Sequence, residues 1–231
     1  MVKSRSGSGG GLRDNRRWGG GGGDEQDGYM MYTDNSRIEE AMGLGNGGDA
    51  DKWKKKLTDE EASAVHWYTG HGHRLVNEFE RMGKMDKMDP EKYMEFSDNL
   101  SNAISKGGAN RRMIVNRTSS ADMFGGAHTV ADLRKMYGQT FTDKGFMSTE
   151  VNLAQSLSNP YGSKHGEEQI YMHIKVPKGR GIGQYIRGLS NAHQEQEYLF
   201  NRGSNFKLVG AYQDAQGRVH ANLRYVGRSG I

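Results

Sequence analysis

The sequence predicts an α+β fold with mainly antiparallel sheets. Helix signals crowd into residues 58–107, and short alternating strands fill most of the chain after 111. Helices and strands also fail to alternate in the way a parallel doubly wound sheet requires. At 231 residues the chain fits one domain with an appendage. Apolar residues make up 34% and charged ones 26%, and no run approaches the roughly 20 apolar residues that span a bilayer. The first eleven residues carry Lys3 and Arg5 with no apolar segment behind them, so a secretory leader of the usual form is not expected. The absence of cysteine removes disulfides, thiolate nucleophiles and Cys-based zinc or iron–sulfur sites. With 32 basic against 28 acidic residues the surface is mixed, which does not point to nucleic acid as a partner.

Glycine marks the appendage. Fourteen of the 34 glycines fall within residues 1–50, a composition that buries too little apolar area to offset the entropy of ordering. Residues 1–56 are therefore expected to be a disordered tail, with at most a short helix near Ser36–Met42, and 57–231 the folded domain. Thr58-Asp-Glu-Glu61 has the form of a capping box, announcing a helix through Ala62, Val65, Leu75, Val76, Phe79 and Met82 that bends at Gly70 and Gly72. Asp89-Pro90 starts a second helix, with Tyr93, Phe96, Leu100, Ala103 and Ile104 on one side. Thr129 caps a third and shorter one. Strands are expected at 113–117, 146–149, 169–176, 184–186, 195–200, 206–212 and 219–226, the third alternating Ile170, Met172, Ile174 and Val176 against Tyr171, His173 and Lys175.

Gly43, Gly45 and Gly48 match G-x-G-x-x-G, but no strand precedes them and no βαβ unit follows. His66, His71 and His73 lack the H-E-x-x-H spacing of a zinc helix and are expected at the surface or in packing. Glu195 and Glu197 have more to offer. Placed at i and i+2 of one strand, they would share a face about 7 Å apart at Cα, ready to meet a cation or a developing one. Arg117 ends a short apolar strand, where a guanidinium can grip phosphate oxygens in bidentate fashion. Ser148 and Thr149 put two hydroxyls at the end of another.

An arginine, then Ser-Thr, then Glu-x-Glu, on separate strands and in this order, resembles the R-S-E class of the ADP-ribosyltransferase superfamily, which includes arginine-modifying bacterial toxins and phage-borne transferases. The resemblance covers about residues 57–226: Leu57–Ala62 and Ala64–Thr69 look like the opening helix, and Asp98–Ile104 the segment before the arginine strand. It implies N-terminal helices packed on two short sheets that form an NAD cleft, NAD as substrate, no metal, and a protein acceptor bearing an arginine. It also implies that Arg117 holds the NAD phosphates, Thr118 contacts NAD, Ser148 orients Glu197, Thr149 supports the strand or ribose, and Tyr161 stacks on nicotinamide. Glu197 would face the oxocarbenium-like ribose and Glu195 the acceptor guanidinium. Two positions depart from the pattern: Glu150 stands where a third hydroxyl is usual, and Asn116 precedes the arginine. An NAD glycohydrolase of the same architecture and a non-catalytic interaction protein are the alternatives, and the target and the place of action are not legible.

Overall fold

The computed structural model describes residues 24–26, 28–83, 89–158 and 169–229. In chain order the elements are β1 (Asp24–Gln26), β2 (Tyr29–Met31), α1 (Asn35–Met42), α2 (Asp49–Lys54), α3 (Asp59–Trp67), α4 (His73–Met82), α5 (Pro90–Ser105), β3 (Gly108–Ala109), β4 (Met113–Ser120), α6 (Val130–Lys135), β5 (Thr140–Asp143), β6 (Met147–Glu150), α7 (Leu153–Ser158), β7 (Gln169–Val176), β8 (Gly179–Arg180), β9 (Gly183–Tyr185), β10 (Glu197–Phe200), β11 (Ser204–Gln213) and β12 (Val219–Arg228). Helices lead and strands follow, as the α+β reading expects.

Local chemistry accounts for the helix limits. Thr58 and Glu61 make both halves of the capping box. Asp89 caps α5 with Pro90 in its first turn, and the Thr129 hydroxyl caps α6. The expected bend is one turn of π-helix, Tyr68–Gly72, between α3 and α4.

The main sheet runs β5-β11-β12-β7-β4-β6-β10-β9, with β2 paired to β4 and β1 to β2; β3 and β8 form a separate pair. Most pairings are antiparallel, whereas β12 runs parallel to β7. Where two sheets were expected, the ladder is continuous, but a single register pair, Asn116 with Glu150, joins β4 to β6. The sheet therefore has two halves hinged at one point. One apolar cluster packs Ile38, Met42, Val115, Met172, Ile174, Phe200 and Leu223. A second seats Trp53, Val65, Val76, Leu100 and Ile104 of the helices against Phe146 and Leu199.

The expected tail boundary at 57 is corrected by the structure. Ile38 is fully buried, Tyr32 and Trp53 nearly so, and the Trp53 indole N–H donates to the Ala103 carbonyl at 2.7 Å. The glycines between α1 and α2 serve turn geometry. Gly43 caps α1 at φ 72°, where a Cβ would stand 2.5 Å from the Asp49 nitrogen. The Asp51 carboxylate accepts from the N–H groups of Gly45 and Gly47 at 3.1 and 2.7 Å. Glycine density was thus a poor guide to order here, because two helices anchor the turn. The same geometry disposes of the G-x-G-x-x-G match, which is a helix-to-helix turn. The glycines before residue 24 lie outside the described residues.

Truncating Ile38 tests this boundary. Ile38→Ala should cost about 2–5 kcal/mol in urea unfolding, whereas a detached tail would leave the midpoint unchanged.

Candidate active site

A cleft of about 720 Å³ opens where α4 and the π-turn face β4, β6 and β10, a volume suited to a nucleotide-sized ligand. Arg117, Thr118, Ser148, Thr149, Glu195 and Glu197 all border it. The structure therefore brings together six of the seven expected site residues; the seventh, Tyr161, lies outside the described residues.

Sheet pairing builds the acidic wall. β10 pairs antiparallel with β6, setting Glu197 opposite Glu150 and Leu199 opposite Ser148. Glu195 is not on the strand as expected: β10 begins at Glu197, and the Glu195 N–H closes a turn onto the Ala192 carbonyl at 3.0 Å. The ladder is interrupted at Gln196. Its N–H donates to the Glu150 side chain at 3.2 Å, and its carbonyl accepts from Val151 at 2.9 Å. A carboxylate thus anchors the backbone between the two glutamates, and both still reach the same cleft. The other Glu150 oxygen accepts from the Asn152 N–H at 2.8 Å. The departure from a hydroxyl at 150 is structural as well as electrostatic.

Burial pushes the Glu197 carboxyl up to about 7; the Ser148 hydroxyl and Arg117 pull it back, while Glu195 and Glu150 push it further. Glu150 is likewise raised to about 7, chiefly by burial. Ser148 is itself held, its Oγ lying 3.3 Å from the Tyr68 hydroxyl, which accepts from the Asn77 amide at 3.0 Å. Burial and the nearby Glu197 charge push the Tyr68 phenol up to about 12, so it stays a neutral hydrogen-bonding group.

The basic wall comes from two elements. One Arg117 N–H donates to the Ser148 carbonyl at 2.7 Å, tying β4 to β6. Burial and Arg81 lower its pKa, and among the described residues no carboxylate lies within ion-pair distance of it. A desolvated guanidinium without a bound carboxylate favours an anionic ligand. Thr118 borders the cleft beside it, and its Oγ1 has no hydrogen-bond partner among the described residues. Thr149, by contrast, gives its hydroxyl to the Tyr198 carbonyl at 2.5 Å and braces the strand.

Sequence reasoning missed Tyr68, Asn77, Arg81 and the anchoring role of Glu150. Arg81 pairs bidentately with Asp143 at 2.8 Å, and Asn77 accepts from the Phe146 N–H at 2.7 Å, so α4 grips the strand that carries Ser148. A Cβ on Gly145 would stand 2.5 Å from Asn77 Oδ1, so this approach needs glycine. The i, i+4 spacing of Asn77 and Arg81, on the polar face of α4 with His73 and Arg74, was the available signal. His66, His71 and His73 are exposed, and no group of three His, Cys, Asp or Glu among the described residues is placed to hold a metal ion. No helix among them is long and apolar enough to cross a membrane.

The family model for the ADP-ribosyltransferase exoenzyme matches residues 46–224. The chain belongs to this family. That match begins ahead of the boundary the glycines suggested. The NAD(+)-arginine ADP-ribosyltransferase EFV of Enterococcus faecalis is 28% identical over 162 residues, covering 69% of this chain but 31% of the relative, so the chain spans about a third of that protein. Among solved structures, Plx2a, an ADP-ribosyltransferase toxin from Paenibacillus larvae, aligns with a TM-score of 0.64 at 17% identity, over 83% of this chain and 97% of the toxin. C3stau2 from S. aureus, solved with NAD, aligns at 0.65 and 17%, over 87% and 100%. At these identities the likeness concerns the exoenzyme fold.

The raised Glu197 pKa has a consequence for stability. Its folded value of about 7 exceeds the ordinary 4.5, so the folded chain keeps a proton that the unfolded chain has lost. This contribution is full below about pH 4.5 and declines as pH rises through about 7. Glu197→Gln should therefore gain about 1–3 kcal/mol on wild type at pH 8 and little at pH 4, read from urea unfolding at both pH values. Equal gains at both would refute a buried, proton-retaining carboxyl.

Proposed function

We propose that the protein is a mono-ADP-ribosyltransferase that cleaves NAD between nicotinamide and ribose and passes ADP-ribose to an arginine of a protein acceptor. The observation carrying this reading is the convergence of Arg117, Ser148 and Glu197 on one cleft, with Glu195 beside them. Family membership and the named activity of the Enterococcus relative support it.

Arg117 and Arg81 give the cleft a cationic side for the diphosphate, with Thr118 Oγ1 a further donor at that end. Loss of nicotinamide leaves positive charge at the ribose C1′, and the site must favour that charge over the ground state. Ionised Glu197 lies where it can face that centre and hydrogen-bond the ribose 2′-OH, held in place by Ser148. A carboxylate about 4 Å from a unit charge at an effective dielectric of about 20 contributes ~4 kcal/mol, roughly three decades in rate. Glu195, in the turn ahead of β10, suits the acceptor. An arginine guanidinium stays protonated near neutrality, and a carboxylate both binds it and eases loss of its proton during attack on C1′.

Two substitutions divide these roles. Glu197→Gln should lower NAD consumption about a thousandfold and abolish labelling of agmatine. Glu195→Gln should keep NAD hydrolysis and lose transfer. Near wild-type NAD turnover in Glu197→Gln would sink the assignment, and wild-type NAD hydrolysis without labelling of agmatine or lysate protein would make the protein a glycohydrolase.

The ionised form of Glu197 is the active one, so NAD consumption should rise with pH through about 7. Glu150→Gln removes a negative neighbour and should move that acid limb to lower pH. An unmoved limb would show that Glu150 acts on the turn alone.

A further inference from the structure

From the cleft a chain of polar side chains runs across β4, β7 and β12 along one face of the sheet. Asn116, which borders the cleft, donates its amide N–H to the Glu150 carbonyl at 3.2 Å. Its Oδ1 lies 2.8 Å from His173 Nδ1, His173 Nε2 lies 2.8 Å from His220 Nδ1, and His220 Nε2 lies 3.0 Å from Asp214 Oδ2. Both histidines are buried, at 5% and 3% exposure. Nothing in the reaction described above uses them.

The donor and acceptor order along this chain fixes its proton count. A backbone carbonyl can only accept, so the Asn116 NH₂ must face Glu150 and its oxygen must face His173. His173 Nδ1 therefore carries hydrogen. At the far end the Asp214 carboxylate accepts, so His220 Nε2 carries hydrogen too. If both imidazoles were neutral, His173 Nε2 and His220 Nδ1 would meet lone pair to lone pair at 2.8 Å. One more proton is needed between them.

We propose that His173 and His220 share one extra proton with Asp214 as counter-ion, and that this buried chain is a positioning device for Asn116 at the hinge between the two halves of the sheet. Asn116 and Glu150 form the one register pair between β4 and β6, so the chain sets how Arg117 on β4 stands relative to Ser148 and Glu197. The consequence for NAD rests on the function proposed above; the proton count does not.

The surroundings make the proton labile. Burial and the neighbouring His220 lower the His173 pKa, and the Asp214 carboxylate 3.0 Å from His220 Nε2 favours the charge on that ring. Burial and the Arg218 guanidinium lower His220, while Asp214 opposes them. Arg218 also holds Asp214 at 2.6 Å. Titratable neighbours among the described residues include Tyr171, tilted against His220 at 5.3 Å, and Tyr212, stacked on His220 at 4.6 Å with its hydroxyl 3.4 Å from His173 Nε2. The sign follows: the chain is closed on the acid side, and the link between the histidines opens as pH rises and His220 loses its proton.

Ring nitrogen shifts of the ¹⁵N-labelled protein, followed between about pH 4 and 9, test the proton count without reference to activity. On the acid side one ring should carry both protons and its neighbour hydrogen on Nδ1 alone. One proton should leave the pair as pH rises, and the Asn116 side-chain amide should shift with the same midpoint. Asp214→Asn, an exchange in the β11–β12 turn, should move that midpoint down by about one pH unit or more. Two neutral rings across the folded range, or a midpoint that Asp214→Asn leaves in place, would overturn the proposal. If the cleft consumes NAD, KM for NAD should rise about threefold or more across the same midpoint, and this rise should follow the Asp214→Asn shift while the Glu197 limb stays in place. A KM that ignores the midpoint would overturn the positioning role. A protein with the expected ring titration that consumes no NAD at any pH would refute the function and leave the proton count standing.

Discussion

The arrangement of the cleft follows from one cost: a carboxylate withdrawn from water at Glu197. Desolvation favours its protonated form, and Glu195 and Glu150 add to the penalty. Ser148 and the Arg117 guanidinium return part of it. On the function proposed above, the remainder is what the chemistry draws on, because an under-compensated negative charge is relieved when positive charge develops beside it. A fully solvated glutamate would bind the ground state and the transition state almost equally and would accelerate nothing.

Such a site needs rigid support, and the structure supplies it from outside the strands that carry the chemistry. Tyr68 in the π-turn meets Ser148 while Asn77 and Arg81 of α4 hold Phe146 and Asp143 ahead of it. The turn before β10 is tied down as well. Asn191 reaches Thr69 Oγ1 and the His66 carbonyl, Gln155 reaches the Gln194 carbonyl, and Arg187 bonds the His193 carbonyl and pairs with Glu39 of α1. The early helices are therefore part of how the acidic turn is held.

Much of this was legible in the sequence because it rests on local chemistry. The capping box at Thr58, Pro90 at a helix start and the period of two in 169–176 each depend on neighbours within a few residues, and each recurs in the structure. Arg117, Ser148 and Glu197 were legible through their order along the chain. Glu195 was misplaced because pattern alone cannot reveal that a side chain from another strand, Glu150, takes the ladder position at Gln196. The tail boundary was misplaced for a related reason. Ile38 and Trp53 gain their burial from strands and helices far along the sequence, and glycine counting carries no trace of such contacts. Tyr68, Asn77 and Arg81 went unseen because their partners lie more than 60 residues away.

The two departures from the familiar pattern, Asn116 and Glu150, make sense only together. They face each other across the one pair that joins the halves of the sheet. The Glu150 carbonyl receives the Asn116 amide, and its side chain receives the backbone between Glu195 and Glu197. An aliphatic residue at 116 would leave His173 Nδ1 buried opposite an apolar group, at a cost of about 1–3 kcal/mol. A serine at 150 would be too short to reach Gln196 by the same route. One residue thus couples the polar chain across β4, β7 and β12 to the acidic turn before β10. A change in the polar chain or in the acidic turn reaches the other through Glu150, which is why these two positions are best understood as one unit.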